Sequence, residues 1–161
     1  IMRVPVEKLD LLKLLQDQMK ITAAAAQAFE SSFQRAQKAI QRTTATPGFV
    51  TTIEEKETLD SLTSRFMLFS GVLFERVFRT LDQLELSDEG SHIDRLNRME
   101  KRGIIDSAEI WRKIRTLRND IVHEYLVDAS DRVVHDSLTY GPALQKTFAA
   151  LLTYAQDKKY C

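Results

Sequence analysis

Hydrophobic residues recur every three or four positions along most of this chain, the spacing that gathers them on one face of an α-helix. Over residues 5 to 42, Leu12, Leu15, Met19, Ala26, Phe29, Phe33, Ala36 and Ile40 form such a face and predict one long helix. The pattern breaks at 43 to 52, where threonines and Pro47-Gly48 read as a loop. Thr51 and Thr52 each have a glutamate three residues on, the capping-box spacing, so a second helix is predicted from there to about Leu86. Its stripe of Leu59, Leu62, Phe66, Phe69, Leu73, Val77, Leu81 and Leu84 is widened by Met67, Val72, Phe74 and Phe78, as suits a central helix with several neighbours. Gly71 inside it costs roughly 1 kcal/mol relative to alanine, which predicts a helix packed closely against it.

Residues 87 to 90 read as a loop. Ser91 is predicted to cap a short helix that stops near Gly103, and Asp106 with Glu109 to open another. A turn is expected at Asp128 to Asp131. The last helix is marked by Val133, Val134, Leu138, Leu144, Phe148, Leu151 and Leu152, with Pro142 expected to break or kink it near Tyr140. Five helices, two of them long, predict an all-α fold: an antiparallel four-to-five-helix bundle forming a single domain over residues 2 to 161.

Composition narrows the possibilities. Hydrophobic residues make up 43% and charged residues 29% of 161, a folded rather than a disordered balance. Net charge is zero, which argues against a general nucleic-acid coat protein. The charge is uneven, however: Arg95, Arg98, Lys101, Arg102, Arg112, Lys113, Arg115 and Arg118 face only three acids in the same stretch, Glu100, Asp106 and Glu109. Such a local excess can steer a polyanion. The single cysteine, Cys161, excludes an internal disulfide and makes the cytoplasm the expected compartment. No apolar run approaches the roughly 20 residues that span a bilayer, and the opening residues do not read as a signal peptide.

The fourth helix carries the candidate chemistry. Ile110, Trp111, Ile114, Leu117, Ile121, Val122 and Tyr125 are predicted to pack on the bundle. Arg118 and Tyr125 share a face, being seven residues apart, whereas His123 lies roughly 140° round from Arg118 on an ideal helix. Arg118 and His123 could line one groove if the helix is distorted, or if two copies about a two-fold axis each supply part of the site, and the offset is an argument for a homodimer. An arginine and a histidine without a cluster of carboxylates suit metal-free cleavage of RNA, whose 2′-hydroxyl is a built-in nucleophile. His123 would move protons, and the fork of Arg118 would take the charge on the phosphorane oxygens. Asn119 and Asp120 could orient the ring or hold the phosphate. Taken singly, each residue has a plainer reading: Arg118 as half of an ion pair, His123 as a solvated surface residue, Tyr125 as core. His92 and His135 have no partners spaced for zinc, and the phenylalanines of the central helix are expected as core.

Arg118-Asn119-Asp120-Ile121-Val122-His123-Glu124-Tyr125 resembles the R-x4-H-x-Y signature of HEPN-domain proteins, in the branch of HepT-like toxins that sit beside a minimal nucleotidyltransferase (MNT) antitoxin. The segment DSLTSRF, residues 60 to 66, resembles more loosely the central helix of nucleotidyltransferase substrate-binding proteins. The resemblance implies a HEPN bundle working as a homodimer and a metal-independent endoribonuclease without cofactor, with Arg118 and His123 as the catalytic pair. It also implies an antitoxin that silences the toxin by adding AMP to Tyr125. The alternative is a non-catalytic HEPN subunit that binds substrate or scaffolds a nucleotidyltransferase. The long first helix and the 43 to 52 loop depart from the family pattern.

Overall fold

The computed structural model describes residues 6–45, 52–124 and 131–161. Among these it holds five helices and no strand: α1 (Val6–Ala45), α2 (53–84), α3 (His92–Lys101), α4 (Ala108–Glu124) and α5 (Asp131–Asp157). None is long and apolar enough to cross a membrane. The loop expected at 43 to 52 begins later than read, because α1 continues through Ala45, and the turn expected at Asp128 to Asp131 ends earlier, because Asp131 already opens α5. Residues 46 to 51 and 128 to 130 lie outside the described residues.

Cross-helix contacts fix the directions. Arg42 Nε bonds Glu55 at 2.8 Å while Arg65 donates to Ser32 Oγ at 2.6 Å, so α1 and α2 run antiparallel. Asp120 meets Arg132 and Trp111 meets Thr147, so α4 and α5 do the same. One connected cluster of buried side chains draws on all five helices, with Phe29, Phe66, Phe69, Phe78 and Trp111 among its largest members. The indole N–H of Trp111 donates to Thr147 Oγ1 at 3.0 Å, which satisfies its one polar group inside the core.

The capping signals are reproduced with one change. Thr52 and Glu55 form the reciprocal box that starts α2, and Ser91 and Asp94 form a second one at α3. Gly103, at φ 74°, takes the left-handed position that ends α3. For α4 the cap differs from expectation. Ser107 Oγ accepts from Ile110 N–H at 3.2 Å and Glu100 from Ala108 N–H at 2.7 Å, while Asp106 pairs instead with Lys146.

Pro142 does not break α5, which runs on continuously from Asp131 to Asp157. Pro142 is exposed, so the carbonyl left without its donor can turn toward water. Its neighbour Gly141 is buried against α1: a Cβ there would stand 2.8 Å from Phe33 Cε2 and 2.9 Å from Phe29 Cζ.

The central helix carries a feature its apolar stripe did not predict. It is α-helical over Ile53–Gly71, π-helical over Val72–Phe78, and α-helical again over Arg79–Leu84. It also ends before Leu86, which lies at φ 54°.

Candidate active site

On α4, Trp111, Ile114, Leu117 and Ile121 are buried as expected. Ile110 and Val122 are not: they are 39% and 44% exposed. Arg118 is half-buried beside that core stripe, one turn before Val122. Its guanidinium passes over Gly71, where a Cβ would lie 3.8 Å from Nε, an ordinary contact, so the closely packed helix expected at Gly71 is replaced by this side chain with room to spare. Arg118 Nη1 donates to Asn119 Oδ1 at 3.3 Å, while its buried Nε has no hydrogen-bond partner among the described residues.

Asn119 therefore serves Arg118, whereas Asp120 turns away and accepts from Arg132 of α5 at 3.0 Å. His123 is exposed near the end of α4 and makes no hydrogen bond or ion pair among the described residues. Arg118 and His123 are thus not joined within one chain, in line with the angular offset read from the sequence. Tyr125 lies outside the described residues.

Arg115 and Phe74, two residues beside Arg118, were not singled out as site residues from the sequence. Arg115, one turn earlier, stacks its guanidinium 4.0 Å from the centroid of the Phe74 ring, and His92 meets the same ring edge-on at 5.2 Å. Burial lowers the pKa of Arg115; Glu75 acts against this, while Arg118 and Arg95 push the same way. The i,i+3 spacing of Arg115 and Arg118 was visible in the sequence. The Phe74 platform was not, because Phe74 reads simply as core.

The basic stretch is only partly a surface. Asp82, with no exposed area, accepts from Arg95 Nε at 3.1 Å, Arg98 Nη2 at 2.8 Å and Arg102 Nη1 at 2.6 Å. Arg95 also pairs with Asp88, and Arg102 with Glu85. Those three arginines hold α3 to the end of α2, so part of the local basic excess read from the sequence is neutralised within the fold. Burial works to raise the Asp82 pKa, but the hydrogen bonds from Arg98, Arg102 and Arg95 outweigh it and hold the carboxyl below its ordinary range.

A cleft of about 410 Å³ opens along α4, lined by Arg112, Lys113, Arg115, Asn119 and Arg132 together with Glu109, Asp120 and Asp136. Among the described residues, no group of three or more His, Cys, Asp or Glu side chains is placed to hold a metal ion. No protein-family model matches the chain, and no curated protein matches it.

Proposed function

We propose that this chain is a metal-independent endoribonuclease of the HEPN type, acting in the cytoplasm as a homodimer and as the toxin of a toxin–antitoxin pair. The observation that carries the reading is Arg118: a half-buried guanidinium with a buried, unpartnered Nε and no carboxylate within ion-pair distance among the described residues. A cation held this way is suited to an anion from outside, and its planar fork matches a phosphate. In the reaction, the 2′-hydroxyl bonds to phosphorus as the bond to the departing 5′ oxygen breaks. A base takes the hydroxyl proton and an acid returns one to the leaving oxygen, giving a 2′,3′-cyclic phosphate and a 5′-hydroxyl. His123 is the group for these transfers, since histidine exchanges protons near neutral pH. Because it lies far round α4 from Arg118, the histidine that serves each arginine belongs to the other copy.

Control falls to Tyr125. AMP added there by an MNT-type nucleotidyltransferase would bring a bulky anion to the face of Arg118 and neutralise it. One experiment tests activity and control together. The protein is expected to cut RNA, then to gain the mass of one AMP and stop cutting after incubation with ATP and the partner nucleotidyltransferase. Tyr125→Phe should cut RNA but be neither modified nor silenced. No cleavage by the parent sinks the ribonuclease, and modification persisting in Tyr125→Phe moves the acceptor elsewhere. The second reading, a non-catalytic subunit scaffolding a nucleotidyltransferase, is favoured by one observation: Asp82 withdraws Arg95, Arg98 and Arg102 from any RNA-binding face.

A further inference from the structure

Six described arginines are half-buried: Arg65, Arg95, Arg98, Arg102, Arg115 and Arg118. Arg95, Arg98 and Arg102 are held by Asp82, and Arg65 donates to Ala28 O and Ser32 Oγ. Arg115 and Arg118 differ, for neither has a carboxylate partner among the described residues. They stand one turn apart on α4, so their side chains are neighbours, and two like charges there repel. The chain nonetheless spends its buried acid, Asp82, on the three arginines of α3.

What holds Arg115 is the face of Phe74, itself 2% exposed and seated in the π-helical segment of α2. Cation–π stacking fixes the plane of a guanidinium and leaves its N–H edges available. Those edges border a recess formed by Gly71, Phe74, Glu75 and Arg118. The recess measures about 10 Å³, the space of one water, so a nucleobase does not fit and a ligand must sit at its mouth. Arg115 also lines the 410 Å³ cleft on α4, together with Arg112 and Lys113. Arg115 and Asn119 line both the recess beside Arg118 and the larger groove, and of the two only Arg115 carries a charge. Insertions that widen a helix to a π turn gather at functional sites, and this one carries the platform of Arg115.

We infer that Arg115, stacked on Phe74, is a second phosphate-binding residue, which takes the phosphate next to the one held by Arg118 and leads the RNA backbone into the cleft along α4. This rests on the reading of Arg118 as the group that binds the scissile phosphate. Arg115 positions the strand and takes no part in proton transfer, so its loss acts on binding.

The test uses a short single-stranded DNA oligonucleotide, which lacks the attacking 2′-hydroxyl, with affinity measured by fluorescence anisotropy over a salt series. Arg115→Gln is expected to weaken binding about tenfold and to reduce the slope of log K against log salt by roughly 0.7, the value of one phosphate contact on a single strand. Arg115→Met keeps an unbranched side chain against Phe74 and should show the same loss. Arg35→Gln, which removes a charge on α1, should bind as the parent does. If either folded Arg115 variant keeps the parent's affinity and slope, the inference is overturned. RNA cleavage measured alongside separates the two claims. Parent protein that binds through Arg115 but cuts no RNA leaves the phosphate seat standing without the ribonuclease. Cleavage with Arg115-independent binding does the reverse.

Discussion

Asp82 shows how much a single carboxylate decides. It sits among Leu81, Leu84, Phe78 and their neighbours on an apolar stripe, yet has no exposed area and takes hydrogen bonds from three arginines. Removing its charge would leave three guanidiniums crowded at a half-buried site. Breaking such a buried network typically costs about 3–5 kcal/mol, so Asp82→Asn is expected to lower the unfolding free energy by that order in a urea titration. A loss below about 0.5 kcal/mol, the range of ordinary surface changes, would contradict this role. Acid sensitivity has the same source. The folded pKa of Asp82 is depressed, so its contribution is present above the ordinary carboxylate range and is lost as pH falls through the depressed value. Asp82→Asn should flatten the acid limb of the stability curve. At this scale the sequence is legible where chemistry is local. Arg118, His123 and the caps at Thr52 and Ser91 stand out by spacing alone. Asp82 was hidden because its partners lie 13 to 20 residues away on another helix, and Phe74 because a core phenylalanine and a cation platform look identical in one dimension.

Elements raise a different question, namely what two glycines inside helices are for. Gly71 and Gly141 look alike in sequence but have different surroundings. A Cβ at Gly71 would meet Arg118 Nε at an ordinary 3.8 Å, while one at Gly141 would be driven against the rings of Phe33 and Phe29 at 2.8 and 2.9 Å. Gly71→Ala is therefore expected to stabilise α2, by up to about 1 kcal/mol from helix propensity. Gly141→Ala should destabilise by about 1–3 kcal/mol through overpacking. Thermal melting of the two variants checks both signs, and a stabilised Gly141→Ala would contradict the packing of α1 against α5. Helix existence and most boundaries followed from apolar spacing and capping residues. The π segment at Val72–Phe78 did not, because one additional residue within a turn leaves a broad apolar stripe intact. Nor did the continuity of α5 through Pro142, which depends on that residue facing outward.

At the scale of the whole molecule, the antiparallel bundle brings α2 and α4 together so that Gly71 lies under Arg118 and Phe74 under Arg115. It leaves Leu68 and Val122 exposed, each one turn from that crossing, at 58% and 44%. The bundle was legible from five amphipathic segments. What the sequence holds of a site shared between two chains is an angle alone: roughly 140° separates Arg118 from His123 on one ideal helix. If each copy supplies one member of the pair, cleavage requires both residues but not from the same chain. The deciding measurement is the rate of RNA cleavage in EDTA by the parent, by Arg118→Ala, by His123→Ala, and by the two variants mixed. The expected result is cleavage by the parent and a loss of at least about 100-fold in each folded variant. In the exchanged mixture, where one composite site in a heterodimer is intact, recovery should reach on the order of a quarter of the parent rate. Parent protein inactive in EDTA, or single variants that cut as the parent does, would contradict a metal-independent site built from Arg118 and His123.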